Sequence, residues 1–276
     1  MRLQLARLVL LARESTDLFD DWRGSPPSRE QWLRRLFSQS IEFMHYGSVF
    51  HYVPNDDVAK NEFITGRIGR RYLVPENEPP EAGFAEVERP AWKAGEIVID
   101  PRPHSDGQKA AIEIAREMQK PIAVLRSLAS AVNKRAPSQP YVLEPNPIVD
   151  PATFWRFVEE NEGQIKRVSF EMYPPNMFGI RDNLDRELRE LKENEKAMKV
   201  DLTLESDDGL HLLTDRTKQT AKYTTEGGGN ISALTKSNKR FSTKNQARVI
   251  IIEENLGKKS SIIERIWEAM RNEHPD

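Results

Sequence analysis

The stretch Phe63-Ile-Thr-Gly-Arg-Ile-Gly-Arg-Arg-Tyr-Leu-Val74 alternates apolar and polar side chains with a period of two. Successive side chains of a β-strand point to opposite faces, so this pattern predicts a strand with one buried face. Other segments of the first half that are rich in aromatic and β-branched residues are also predicted as strands: residues 41–53 with a turn near Gly47, residues 84–87 and residues 96–100.

Helices are predicted on either side of these strands. Ser28-Arg-Glu-Gln31 has the spacing of a capping box, and the apolar residues that follow it share one helix face. Residues 108–118 and 122–134 are predicted as two further helices. The first half is therefore expected to be an antiparallel sheet capped by helices.

Prolines crowd the middle of the chain: Pro137, Pro140, Pro145, Pro147 and Pro151. Such density excludes a helix and would disrupt a central strand. We therefore expect residues 136–150 to form an extended connection. The corresponding domains are an N-terminal α+β domain over residues 1–138 and a C-terminal α+β domain over residues 139–276.

The second half alternates helical and strand patterns. Helices are predicted over residues 151–160, over residues 182–197 and from the capping box at Ser261 onward. Strands are predicted over residues 165–173, 200–204, 230–235 and 247–253. This order predicts an α+β fold in two halves: an antiparallel, strand-rich N-terminal half and a C-terminal α/β sandwich that carries a basic hairpin region.

The composition of the 276 residues narrows the chemistry. Hydrophobic residues make up 38% and charged residues 30%, as in a globular protein, and there is no cysteine. The lack of cysteine excludes disulfide scaffolds, thiolate metal sites and cysteine nucleophiles, and it fits a reducing cytoplasm. Arg7 interrupts the apolar start, which argues against a signal peptide, and no apolar run is long enough for a membrane helix. We therefore expect a cytoplasmic protein that does not contact membranes.

The net charge of −2 hides two opposed segments. Residues 182–208 contain ten acidic and five basic residues, a balance of −5. Residues 216–248 contain eight basic residues and a single acidic one, Glu226, a balance of +7. The total charge therefore says nothing about whether the chain binds a polyanion.

Residues 216–248, the basic segment, also contain many hydroxyl and amide side chains and the run Gly227-Gly-Gly229. Phosphates in nucleic-acid complexes are contacted by this mixture of groups. Its predicted phosphate contacts are Arg216, Lys218, Lys222, Lys236, Lys239, Arg240, Lys244 and Arg248, and its predicted base-stacking residues are Tyr223 and Phe241. Two alternatives remain open: a solvated face that offsets the acidic helix, and a docking site for an acidic protein.

A smaller basic cluster, Arg67, Arg70 and Arg71, lies on the strand predicted at residues 63–74. In an extended strand Arg67 and Arg71 share one face and Arg70 points to the other. The cluster is either a second phosphate contact or an arginine guard on an exposed strand edge.

Catalytic patterns are weak throughout the chain. No hydrolase or dinucleotide-binding motif occurs. The Asp/Glu-x-Lys triplet of metal nucleases occurs at Glu190-Leu-Lys192, inside a helical pattern where salt bridges explain it better. His45 and His51 lack a third metal ligand. We therefore expect no catalytic residue, no metal and no cofactor, and we leave enzymatic activity open, with a metal-dependent nuclease as the minor alternative.

Two segments carry a family resemblance: Trp92 with Glu96-Ile-Val-Ile-Asp100 leading into a predicted helix, and the basic Gly/Ser/Thr stretch from Lys222 to Lys236. With the proline-rich crossing, the chain resembles RexA-type phage-exclusion proteins and the related KwaB-like defence proteins in outline. The resemblance implies a non-enzymatic homo-oligomer that binds nucleic acid, DNA in preference to RNA, without strong sequence preference, in anti-phage defence. The alternative function is a protein–protein interaction subunit of a defence or toxin–antitoxin system, with a partner protein from the same operon.

Overall fold

The computed structural model describes residues 1–13, 26–55, 62–104, 107–115, 118–135, 139–174, 183–252, 265–266 and 268. The strands within these residues are β1 (Arg2–Ala12), β2 (Ile41–His45), β3 (Ser48–Pro54), β4 (Ile64–Asn77), β5 (Glu86–Asp100), β6 (Gln108–Glu113), β7 (Tyr141–Pro147), β8 (Ile165–Met172), β9 (Val200–Glu205), β10 (Gly229–Thr235), β11 (Arg240–Ser242) and β12 (Val249–Ile251). The α-helices are α1 (Arg29–Leu36), α2 (Pro121–Arg135), α3 (Pro151–Glu160), α4 (Asn183–Asn194) and α5 (Asp215–Tyr223). The fold is mixed α+β, which confirms the predicted class.

The first sheet has the order β12-β1-β6-β5-β4-β3-β2, with β7 also paired to β1, and all of its neighbours are antiparallel. Because β6 occupies one side of β1, β7 and β12 share the other side. Arg7 in the middle of β1 therefore has two Cα partners, Lys109 of β6 and Asn146 of β7.

The larger core lies between the first sheet and α2. We call the face of the sheet that packs against α2 its inner face. Leu8 and Leu10 of β1 are fully buried in this core with Leu125 and Leu128 of α2. Helix α1 contributes Trp32 and Leu33 to this core, and its predicted capping box is confirmed. Ser28 Oγ accepts a 3.2 Å hydrogen bond from the backbone N–H of Gln31, whose side chain accepts one of 3.0 Å in return.

The predicted helix over residues 108–118 is wrong, because residues 108–113 form strand β6. Its alanine-rich sequence suits a helix, but both of its sides are taken by ladder partners, β1 and β5, and nearly every side chain is buried. A strand buried on both faces shows no alternation, so the period of two is lost. The two strands predicted at 84–87 and 96–100 are parts of one strand, β5, which pairs with β4 from Asn77–Glu86 to Ile64–Ile99.

The second sheet has the order β11-β10-β8-β9 and is antiparallel throughout. One face packs on α3 and α5 around Phe154, Phe170 and Ile231. The opposite face carries polar side chains, and we call it the open face of the second sheet. Helix α5 was not predicted from the sequence. It begins after Thr214, whose side chain accepts a hydrogen bond from Thr217 N.

Residues 141–147 of the proline-rich connection form β7, whose outer side has no strand partner among the described residues. Prolines are tolerated there, because an unpaired side loses no ladder hydrogen bond. Through β7 and β12, the chain after residue 138 completes the first sheet, and a domain boundary at that position stays a prediction. The helix predicted from Ser261 lies almost entirely outside the described residues. None of the described helices has the length and apolar content needed to cross a membrane.

Candidate functional site

Strands β2 to β5 present an outer face, which points away from α2. The strand register places one row of residues across this face: Glu42, His51, Gly69 and Ala94. A groove of about 560 Å³ lies over this row. Trp92 borders it on one side, Arg67 and Val53 border it on the other, and Arg135 at the end of α2 also lines it.

The floor of the groove is flat because Gly69 has no side chain. A Cβ atom at this position would lie 2.7 Å from the carbonyl oxygen of Lys93 and 2.8 Å from Cβ of Ala94, closer than real contacts allow. Glycine is therefore required by the close approach of β5, and it leaves a shallow floor over which a planar ligand can lie.

Trp92 supplies an aromatic wall that is open to solvent. Its side chain is 64% exposed, although it is held edge-on by His51 at a centroid distance of 5.5 Å. Its Cα partner across the β4–β5 ladder is the exposed Arg71. An exposed, oriented indole beside a guanidinium is the arrangement on which nucleic-acid bases stack.

Cationic side chains surround the groove. Arg67 Nε lies 2.7 Å from Glu96 Oε1, and Arg135 donates a 3.1 Å hydrogen bond to the carbonyl of Glu42. Arg71 flanks the groove, whereas Lys93 is the Cα partner of Arg70 and points to the other face. The three cations Arg67, Arg71 and Arg135 outnumber the two carboxylates Glu42 and Glu96, which gives a local balance of +1.

The smaller predicted cluster is divided between the two faces. Arg67 and Arg71 share the outer face, as the alternation predicts. Arg70 points to the inner side, where its guanidinium lies 5.7 Å from the Phe50 ring centroid and donates to Ser48 Oγ at 3.3 Å. Two of the three arginines therefore belong to the groove.

The cations of the basic segment are spread over several surfaces. Arg216, Lys218 and Lys222 lie on α5, Lys236 and Lys239 lie in the β10–β11 turn, Arg240 lies on β11, and Lys244 and Arg248 follow it. Within the described residues, four of them have a carboxylate within ion-pair distance: Arg216 and Glu187 at 2.7 Å, Lys239 and Glu160 at 3.4 Å, Lys218 and Asp215 at 3.9 Å, and Lys244 and Glu171 at 3.9 Å. The balance of +7 does not form one continuous patch.

Tyr223 and Phe241, the predicted stacking residues, are each only 8% exposed. Phe241 packs against Phe157 at a centroid distance of 5.0 Å, and the Tyr223 hydroxyl donates to the carbonyl of Tyr173. Neither ring is open to a base, so their assignment as stacking residues is corrected: both are core residues of the second half. The alternation along β11 sends Phe241 inward and its neighbours Arg240 and Ser242 outward.

Trp92 was missed as a site residue by sequence reasoning. It occurs next to polar residues in an apolar-poor part of β5, which is the available signal, but its position opposite Arg71 depends on the strand register. Among the described residues, no group of three or more His, Asp or Glu side chains could hold a metal ion. Glu190 and Lys192 lie on α4, and His45 and His51 lie on opposite faces of the β2–β3 hairpin.

Comparison of the chain with protein-family models, with curated proteins and with solved structures found no match. The function is therefore inferred from the geometry of the groove.

Proposed function

We propose that this protein binds single-stranded nucleic acid, preferentially DNA, in the groove over β2 to β5, and that it does so as a binding protein rather than as an enzyme. The exposed Trp92, opposite Arg71 in the ladder and across the groove from Arg67, is the observation that carries this proposal. A base stacks on the indole, and the two guanidiniums contact the phosphates on either side.

The chemistry of the groove favours binding without sequence preference. Stacking contributes about 1–3 kcal/mol per base and accepts every base, because each has a π-face. Arginine contacts to phosphates add affinity but carry no sequence information. The floor of Gly69 and Ala94 offers no side-chain donor or acceptor that could select one base edge over another.

The resemblance to phage-exclusion proteins suggests the biological setting. On that basis we propose a cytoplasmic homo-oligomer that acts in anti-phage defence. The basic segment then supplies secondary phosphate contacts from its cations without a carboxylate partner among the described residues: Lys222, Lys236 and Arg240.

Fluorescence anisotropy with a labelled oligonucleotide tests the proposal, using single-stranded DNA, duplex DNA and RNA of equal length. We expect Trp92→Ala to weaken single-stranded DNA binding by about 10-fold or more, in line with the loss of one stacking contact. Phe84→Ala is the matched control, because Phe84 is 61% exposed but lies in the connection between β4 and β5, at the other end of these strands from the groove. Wild-type affinity in Trp92→Ala would refute the proposed site.

A protein partner is the second candidate, favoured by the exposed apolar side chains on the same outer face: Met44 at 58%, Val49 at 42%, Val53 at 51% and Leu73 at 57%. Isolated apolar side chains are common on surfaces, but several on one face mark interfaces. In this case Met44→Ser with Leu73→Ser would abolish copurification of a stoichiometric protein, and the wild type would show no affinity for any of the three nucleic acids.

A further inference from the structure

Arg7 is a buried arginine in the middle of an otherwise apolar strand. It lies on β1, between Leu5 and Val9 on the same face, and only 5% of its surface is exposed. Removing a guanidinium from water costs several kcal/mol unless a carboxylate or several hydrogen bonds compensate it. The surroundings of Arg7 should therefore contain a negative partner.

That partner is absent from the described part of the chain. No described carboxylate lies within 4.0 Å of the guanidinium, and its buried Nε has no hydrogen-bond partner. Its one specific contact is the ring of Tyr223, with Cζ 5.8 Å from the centroid. A cation–π contact of this length compensates only part of the cost of burial.

The ladder neighbours of Arg7 are also donors. Its Cα partners are Lys109, 8% exposed, and Asn146, 2% exposed, and partners in adjacent strands point to the same face. Asn146 Oδ1 accepts a 3.1 Å hydrogen bond from Asn230, but its buried Nδ2 donates to nothing described. Guanidinium, ammonium and amide N–H groups are thus aligned on one face.

The carboxylate that follows Lys109 in this row of ladder partners, Asp100, is already bound by other residues. Asp100 of β5 is the Cα partner of Lys109, but its oxygens accept hydrogen bonds from Arg102 at 2.9 and 2.8 Å and lie 2.9 Å from His104 Nε2. Asp100 therefore turns toward the residues that follow β5, and no described carboxylate compensates the charge of Arg7.

Two glycines in left-handed conformation bring backbone against Arg7. Gly107 has φ +92°, and a Cβ there would stand 2.9 Å from Arg7 Nε. Gly227 has φ +83°, and a Cβ there would stand 2.5 Å from Arg7 Cβ. Side chains are excluded from both positions, so at these two points backbone lies directly against the arginine. Close backbone approach of this kind is a recurrent use of glycine at ligand sites.

We infer that Arg7, with Asn146, forms a binding site for a small tetrahedral oxyanion of the phosphate type. The anion would supply the negative partner that the described chain lacks and would accept hydrogen bonds from the Arg7 guanidinium and from Asn146 Nδ2. The site lies between β1 and the turn of residues 224–228 that joins α5 to β10, so an anion there would tie the second sheet to the first. It is separate from the groove over β2 to β5.

Thermal unfolding of the full chain tests the inference, with inorganic phosphate and ATP compared against sodium chloride at matched ionic strength. We expect phosphate or ATP to raise the Tm of the wild type by several degrees. A response to inorganic phosphate identifies the free ion as sufficient, and a response to ATP alone identifies a nucleotide phosphate. No rise with either probe would overturn the inference.

Two variants make the result specific. Asn146→Asp places a carboxylate beside Arg7, so it should raise the Tm in chloride and abolish the response to the anion, which a merely damaged fold would not do. Arg7→Met should lower anion affinity by at least about 10-fold, as measured by calorimetry. Arg156→Met, at an exposed position of α3 that has no part in either proposed site, is the control and should respond like the wild type. A full response in Arg7→Met would contradict the proposed site.

Discussion

His45 Nδ1 lies 2.8 Å from Ser127 Oγ where β2 packs on α2. The His45 side chain is almost completely buried, and its ring meets Phe50 edge-on at a centroid distance of 5.4 Å. Burial lowers the pKa of His45 below its usual 6.5; a hydrogen bond to Gln119 opposes this, and the charge of Arg70 adds to it. The core of the first half therefore contains a neutral imidazole.

This histidine should make the protein less stable in mild acid. The unfolded chain takes up a proton on His45 near pH 6.5, whereas the folded state resists it, so the unfolded state binds more protons below that pH. The contribution of His45 to the free energy of unfolding is fully present above pH 6.5. It is lost as the pH falls from 6.5 toward the lower pKa of the folded state. In His45→Gln this part of the dependence should disappear. Urea titrations at several pH values between 5 and 7.5 measure the free energy of unfolding. If this energy changed with pH equally in the wild type and in His45→Gln, a neutral buried His45 would be contradicted.

Gly69 should not tolerate a side chain, because a Cβ atom there would collide with Lys93 and Ala94 of the neighbouring strand β5. Gly69→Ala places a methyl group 2.7 Å from the Lys93 carbonyl, and we expect a loss of about 1–3 kcal/mol in the free energy of unfolding. Gly95→Ala is the matched control, since its nearest contact would be 3.3 Å, to the Cβ of Glu113. Chemical denaturation compares the two, and equal losses would show that the strand spacing at Gly69 is not limiting.

Local patterns in the sequence were sufficient for much of the fold. The capping box at Ser28, the alternation of β4 and the apolar face of α3 each depend on near neighbours in the chain, and all three were predicted. Strand β6 was not predicted, because residues 108–113 become a strand only by pairing with β1 and β5, which lie far away in the sequence. The Leu5, Ala111 and Val98 row joins three strands that no local window contains.

The candidate site shows the same limit more sharply. Charge counting located Arg67 and Arg71 correctly as a surface cluster, since alternation along one strand is a local property. It could not place Trp92 opposite Arg71, because the register of the whole β4–β5 ladder sets that pairing. The balance of +7 in residues 216–248 also leaves out the carboxylates that folding brings next to these cations, such as Glu160 beside Lys239 and Glu187 beside Arg216.

Phe241 should matter for stability and not for binding. Its ring packs between Phe154 and Phe157 at centroid distances of 5.8 and 5.0 Å, so Phe241→Ala should cost about 3–5 kcal/mol in the free energy of unfolding. Where the variant remains folded, its affinity for single-stranded DNA should equal that of the wild type. The exposed neighbour Arg240 gives the control, because Arg240→Ala should leave the free energy of unfolding within about 0.5 kcal/mol of the wild-type value.

The dependence of binding on salt should separate the groove from the basic segment. Each phosphate contact on a single strand contributes about −0.7 to the slope of log K against log salt. Replacing Arg67 and Arg71 by glutamine removes two such contacts and should make the slope shallower by about 1.4.

Replacing Lys236, Lys239, Arg240 and Lys244 together should change the slope by less than the four charges suggest. Lys239 and Lys244 already lie near Glu160 and Glu171, and these carboxylates compete with phosphates for the ammonium groups. Anisotropy titrations of both variants from 50 to 300 mM salt, on the same oligonucleotide, compare the two slopes. A larger change in the quadruple variant than in the Arg67 and Arg71 variant would place the main phosphate contacts on the basic segment instead.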